Sequence, residues 1–151
     1  MRILVAFDGS AGAVAALQMA ARLAQAERGQ IIALRVLNPL VDASNIVAAT
    51  AADAVAEAAR RERDHLAAVV ESAGVLDGVE VELAVEAHGR GEDVPEYLVR
   101  AARERDVDVV AIASRRAAGV RGLVLGSVTQ HVLRLCERPV LVVRPAQPSK
   151  D

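Results

Sequence analysis

Short apolar runs alternate with amphipathic stretches along this chain. Five runs rich in Val, Ile, Leu and Ala predict β-strands, over residues 3–7, 31–37, 79–87, 107–113 and 140–143. Four stretches between them carry apolar residues three or four positions apart, which predicts helices. Strands that alternate with helices of this length are typical of right-handed βαβ units. The pattern therefore predicts an α/β fold, a doubly wound parallel sheet with helices on both faces.

The third run differs from the others because Glu80, Glu82 and Glu86 alternate with apolar residues. One solvated face is typical of an edge strand, so we predict the strand order 3-2-1-4-5. This order reverses between the first and fourth strands, and ligands of such sheets bind at the carboxyl ends of the strands beside that point. A ligand site is therefore expected between Asp8 and the segment that follows Ala113.

The last strand forms the opposite edge in this order, yet Val140–Val143 is uninterrupted hydrophobe. An apolar edge that is left bare invites pairing with another chain. We predict a homodimer joined along this strand, with a loop or the tail lying over the edge as the alternative.

Two helical stretches carry more specific expectations. Residues 44–73 predict one long Ala-rich helix, and its charged cluster is interpreted as a solvated face with i,i+4 pairs. The cluster consists of Glu57, Arg60, Arg61, Glu62, Arg63 and Asp64. The last helix is predicted to open at Gly126 and Ser127 and to bury Val128, His131 or Val132, and Leu135.

Length and composition fit one domain over residues 1–145, followed by a flexible tail at 146–151. The formal net charge of -2 argues against nucleic acid as a partner. No apolar run approaches the roughly 20 residues of a membrane span, which argues against membrane insertion. The single Cys136 suits a reducing compartment, so a cytoplasmic protein is predicted.

Two turns could hold a ligand. At Asp8-Gly9-Ser10, Gly9 permits a sharp bend, Ser10 can cap the next helix, and the Asp8 carboxylate can accept hydrogen bonds from a ligand. At Gly126-Ser127, the start of a helix can bind phosphate, although Ser127 is equally an ordinary N-cap. The loop before it carries Arg115, Arg116 and Arg121, which either hold an anion or are solvated.

Other chemistry finds little support in the sequence. It has no Gly-Lys-Ser/Thr phosphate loop, and its three histidines are not paired at metal-ligand spacing. His131 is expected to pack or cap on the last helix, and Cys136 to be a small buried hydrophobe. Because no nucleophile has a base beside it, we expect no enzyme, or at most slow ATP hydrolysis.

Several segments together resemble the universal stress protein family. They are the opening Ile-Leu-Val-Ala-Phe-Asp-Gly-Ser, residues 108–115, Leu-Gly-Ser-Val at 125–128, and residues 138–143. They cover essentially the whole domain in the family's order and spacing. The resemblance implies the adenine nucleotide alpha hydrolase-like fold with order 3-2-1-4-5, and dimerisation through the last strand.

Nucleotide-binding members of that family carry Gly-x-x-Gly, nine residues, and then Gly-Ser or Gly-Thr. This chain keeps the nine-residue spacing and Gly126-Ser127, but it has Ala113 and Arg116 in place of the two leading glycines. Ala113 adds one methyl near the phosphates, and Arg116 either fills the phosphate space or donates to the phosphates. The resemblance implies that Asp8 meets the ribose or adenine side and Val36 the adenine ring.

Two hypotheses of function follow. In the first, the chain is a regulatory homodimer that binds an adenine nucleotide, foremost ATP, alone or with Mg²⁺. In the second, it is a stress-response interaction protein of the same fold that binds no nucleotide because Arg116 blocks the site, and it acts on an unknown protein partner.

Overall fold

The computed structural model describes residues 1–75, 78–114 and 125–145. In this part of the chain one parallel sheet has the order β3-β2-β1-β4-β5, which confirms the predicted order. Its strands are β1 (Arg2–Ala6), β2 (Gln30–Leu37), β3 (Glu80–Ala87), β4 (Val109–Ala113) and β5 (Val140–Val143). The helices are α1 (Ala11–Ala26), α2 (Pro39–Asp42), α3 (Ala51–Ser72), α4 (Val94–Glu104) and α5 (Ser127–Leu135).

The sheet separates two apolar layers, because successive side chains of a strand point to opposite faces. Ile3 and Val5 of β1 pack in the layer that holds α1 and α3, while Leu4 packs in the layer of α4 and α5. The α1 face toward the sheet is built from small side chains, which lets the helix approach the strands closely. Its buried alanines are Ala13, Ala16, Ala20, Ala21 and Ala24.

The long helix begins later than predicted. Helix α3 starts at Ala51, because the Thr50 hydroxyl accepts a hydrogen bond from the Asp53 N–H at 3.1 Å and caps the first turn. The predicted helical residues 44–50 instead lie in the connection that follows α2. Gly74, with φ of +62°, follows the C-cap of α3, as expected for a glycine just past a helix end.

The charged cluster of α3 is a solvated face only in part. Glu57 pairs with Arg60 and Arg61 at 2.8 and 2.7 Å, as predicted for neighbouring turns. Glu62 and Arg63 instead reach the sheet: Glu62 pairs with Arg35 of β2, and Arg63 donates to the Leu83 carbonyl of β3 at 3.2 Å. These contacts join residues 20 or more positions apart, which helical spacing cannot reveal.

The buried face of α5 differs from the prediction. Val132 is fully buried and His131 is exposed, so the prediction of His131 or Val132 is met by Val132. Val128 is half-buried, whereas Leu135 is 46% exposed, so the prediction for Leu135 is wrong. Thr129 is buried instead, because its hydroxyl donates to the Ala113 carbonyl at 3.2 Å. Cys136 is half-buried beside the apolar layer under α5, so the expectation that it is buried holds in part.

The two sheet edges differ in chemistry. The β3 edge carries the exposed Glu80 and Glu82, and the Arg63 guanidinium covers the Leu83 carbonyl. The β5 edge presents Val140, Leu141 and Val142, which are partly exposed. Within the described residues, no helix combines the length and apolar character needed to cross a membrane.

Candidate functional site

A cleft of about 1040 Å³ opens where the strand order reverses, above the carboxyl ends of β1 and β4. This is the place that the sequence pattern predicts, and we call it the switch-point cleft. Asp8, Val36, Ala113 and Gly126 line it. Ser127 follows Gly126 as the exposed first residue of α5. Arg116, like the neighbouring Arg115 and Arg121 and the predicted tail at 146–151, lies outside the described residues.

The turn between β1 and α1 places Asp8 at the mouth of the cleft. Gly9 adopts a φ of +78°, and a Cβ placed on it would lie 2.7 Å from the Leu66 Cδ2. The Ser10 hydroxyl accepts the Ala13 N–H at 3.2 Å, so the predicted bend and cap are both confirmed. Asp8 accepts the Ser10 N–H at 3.0 Å and is exposed. Because a carboxylate offers about four lone-pair sites, it retains capacity for a ligand's hydroxyl groups.

The end of β2 supplies a polar edge that the sequence does not reveal. The pairing of β1 with β2 ends at Ala6 and Leu34, where the Phe7 N–H donates to the Leu34 carbonyl at 2.9 Å, while β2 continues to Leu37. Alternate residues of a strand direct their backbone groups to the same side. The Val36 N–H and carbonyl therefore face the space beyond the end of β1, inside the cleft.

A donor beside an acceptor is complementary to the edge of adenine, whose N1 accepts and whose 6-amino group donates. The walls around this edge are apolar and suit a flat ring. They come from Leu34 and Val36 of β2, Val94 and Leu98 of α4, Ile112 of β4 and Val128 of α5. Sequence reasoning missed the α4 residues because their spacing is that of an ordinary core-facing helix.

The Ala113 methyl faces helix α1. A Cβ placed on Gly12 would lie 3.0 Å from the Cβ of Ala113, so the two residues touch across the layer between β4 and α1. The absence of a side chain at Gly12 accommodates the methyl of Ala113, the residue that the resemblance aligns with a glycine of nucleotide-binding members. Neither the Gly12 contact nor the bond from Thr129 to the Ala113 carbonyl could be predicted from the sequence pattern.

Helix α5 begins at the cleft with its backbone amides. Gly126 is the N-cap, so Ser127 occupies the first helical position, and the possible N-cap role of Ser127 is wrong. Among the described residues no side chain caps this turn. Gln130 donates to the Leu125 carbonyl at 2.9 Å and anchors the segment that enters the helix. The amides of a first turn and the helix dipole together attract an anion such as phosphate.

Arg35 is a further residue of the cleft that the sequence analysis did not identify. Its Nε pairs with Glu62 at 2.8 Å and its Nη2 with Asp42 at 3.4 Å. Its Nη1 donates to the Val36 carbonyl at 3.2 Å. Within the described residues, no cluster of three His, Cys, Asp or Glu side chains is arranged to hold a metal ion.

The geometry defines a class of protein: a doubly wound α/β domain with a ligand cleft at its switch point. Residues 1–144 match the universal stress protein family, and the chain belongs to that family. The match confirms the resemblance noted in the sequence.

Individual relatives agree with this assignment. The universal stress protein YxiE of Bacillus subtilis is 28% identical over 149 residues, which cover 95% of this chain and 98% of that protein. The crystal structure of a universal stress family protein from Burkholderia pseudomallei shares 30% identity with a TM-score of 0.62, covering 96% of each chain. A universal stress protein from Archaeoglobus fulgidus in complex with dAMP shares 19% identity and the fold, with a TM-score of 0.57 over 93% of this chain and 94% of that one.

Proposed function

We propose that this chain is a regulatory protein that binds an adenine nucleotide, foremost ATP, in the switch-point cleft and acts as a homodimer. The observation that carries the proposal is the convergence of three ligand-binding features in one cleft. These are the Val36 backbone edge, the Asp8 carboxylate and the first turn of α5 at Gly126. The dAMP complex of the Archaeoglobus fulgidus relative supports an adenine nucleotide as the ligand.

The three features assign the parts of the nucleotide. The base would lie between the apolar walls with its polar edge toward Val36, and the sugar hydroxyls would donate to Asp8. The phosphates would accept hydrogen bonds from the amides of the α5 first turn and from the Ser127 hydroxyl. Hydrolysis would be slow or absent, since each of the three features is assigned to binding and none to activating a water molecule.

The contrast between the sheet edges supports the homodimer. The β3 edge is protected by charged side chains, as edges that avoid pairing usually are, whereas the β5 edge is apolar. The Pro139 and Val143 carbonyls accept hydrogen bonds from β4. Because backbone direction alternates, Val140 and Val142 present their backbone groups to the open side. Pairing of two β5 strands would satisfy those groups.

Calorimetric titration of nucleotide-stripped protein with ATP and magnesium tests the nucleotide. We expect micromolar binding, weakened about tenfold by Asp8→Ala and severalfold by Ser127→Ala, since each variant removes a ligand hydrogen bond worth about 1 kcal/mol. Asp64→Ala and Ser72→Ala are matched controls, because both residues lie exposed on α3, outside the cleft lining. They should bind ATP as the natural chain does.

The same titration decides the alternative, an interaction protein whose site is blocked by Arg116. An Arg116→Gly variant is included for this purpose. Absence of binding by the natural chain, together with binding by Arg116→Gly, would contradict the proposal and direct attention to protein partners. The fit of the Ala113 methyl against Gly12 leaves Arg116 as the main departure from the family's glycine pattern.

A further inference from the structure

The Val36 carbonyl, which is the acceptor at the polar end of β2, already accepts a hydrogen bond from the Arg35 guanidinium. Arg35 Nη1 donates to the Val36 carbonyl at 3.2 Å, and both residues line the switch-point cleft. The carbonyl that would accept the 6-amino group of adenine therefore shares its lone pairs with a guanidinium.

The guanidinium is held in place from two further directions. Its Nε pairs with Glu62 of α3 at 2.8 Å, and its Nη2 pairs with Asp42 at the end of α2 at 3.4 Å. Asp42 also accepts the Asn38 N–H at 2.6 Å, so the connection after β2 is fixed to the same group. The Arg35 side chain is 24% exposed, so its contacts are partly shielded from water. A planar fork bound to two carboxylates does not leave readily.

We infer that Arg35 is a specificity-determining residue that weakens recognition of the 6-amino group of the base. This inference rests on the proposed binding of nucleotide in the switch-point cleft. The guanidinium competes with the amino group for the Val36 carbonyl, and its positive charge repels that hydrogen-bond donor. The guanidinium does not compete with the Val36 N–H, because both groups are hydrogen-bond donors. This N–H and the apolar walls therefore carry the recognition of the base. The cleft therefore takes purine nucleotides whose N1 accepts a hydrogen bond, with or without an amino group at C6.

The test compares ATP with purine riboside 5′-triphosphate, which has hydrogen in place of the 6-amino group. A neutral hydrogen bond to an unoccupied carbonyl is worth about 2- to 10-fold in affinity. We expect the natural chain to bind the two nucleotides within about twofold of each other, and Arg35→Met to favour ATP by about 5- to 10-fold. Removal of a positive charge from the cleft changes the attraction for the triphosphate of both nucleotides alike, so the ratio isolates the effect at the base.

Arg60→Met is the matched control, because Arg60 pairs with Glu57 on α3 and its side chain is 63% exposed. Its ratio should equal that of the natural chain. If Arg35→Met does not fold, Arg35→Lys serves instead: it keeps the charge, loses the fork and should raise the preference for ATP partway.

A natural chain that prefers ATP by tenfold or more would overturn the inference. So would a ratio that is unchanged in both Arg35 variants. If the natural chain binds neither nucleotide, the proposed function fails and the inference fails with it; if it binds both with a high preference for ATP, the inference alone fails.

Discussion

Gly12 lies in the first turn of α1, where substitution by alanine sets two opposing effects against each other. Alanine is the better helix former by about 1 kcal/mol. The added Cβ would lie 3.0 Å from the Cβ of Ala113 and 3.6 Å from the Cγ of Pro145. Overpacking of this kind typically destabilises by about 1–3 kcal/mol. We therefore expect Gly12→Ala to lower the free energy of unfolding by about 0–2 kcal/mol, against the helix propensity.

A double-mutant cycle with Ala113→Gly separates the two effects. Without the Ala113 methyl the contact is relieved, so Gly12→Ala should stabilise the Ala113→Gly protein by up to about 1 kcal/mol. The interaction free energy between the two sites should be about 1–3 kcal/mol, measured by urea unfolding of the four proteins. Gly89→Ala is the control, since a Cβ at Gly89 would meet no atom within 4 Å. It should change stability by less than about 0.5 kcal/mol.

The reasoning would be refuted by additivity. If Gly12→Ala stabilises both backgrounds equally, with an interaction free energy below about 0.5 kcal/mol, then the Ala113 methyl does not clash with a Cβ at position 12. The fit of Ala113 beside Gly12 would then need another explanation.

Three further results are expected. Val142→Pro removes an N–H on the open side of β5 without breaking the pairing of β5 with β4. Sedimentation of this variant should therefore show a monomer, and a folded dimer would contradict pairing of two chains through this edge. Gly9→Ala should lower the free energy of unfolding by at least about 1–2 kcal/mol, because φ is +78° and Leu66 blocks the added Cβ; unchanged urea unfolding would argue against this turn. Hydrogen bonds from Arg60 and Arg61 lower the pKa of Glu57 from 4.5 to about 2, so its stabilising contribution is present above pH 4.5 and is lost as the pH falls toward 2; an NMR titration of Glu57 giving an ordinary pKa would refute these pairs.

The sequence predicts the sheet well because the polar and apolar residues of each strand indicate whether the strand is buried or lies at an edge. The alternation of glutamates with apolar residues in β3 is a local signal of an edge, and together with the apolar β1 and β4 it leads to the observed order. The switch point and the positions of Asp8 and Gly126 follow from that order. The strand order and these positions depend on patterns of residues that are adjacent in the sequence, so they can be predicted from it.

Contacts between distant residues could not be predicted in this way. Arg35 and Glu62 are 27 positions apart, and the bond from Thr129 to Ala113 spans 16. The second of these explains why α5 buries Thr129 while His131 is exposed. The Val36 edge escapes sequence analysis for another reason, because its chemistry lies in the backbone and depends on β1 ending before β2.

The most direct test of nucleotide binding in the switch-point cleft is an amide NMR titration of ¹⁵N-labelled, nucleotide-stripped protein with ATP and magnesium. We predict that the Val36, Gly126 and Ser127 amides shift most among the assigned residues and saturate together, while the Leu83 amide on the far edge stays in place. Spectra that are unchanged at millimolar ATP, or shifts confined to surfaces away from the cleft, would contradict the account.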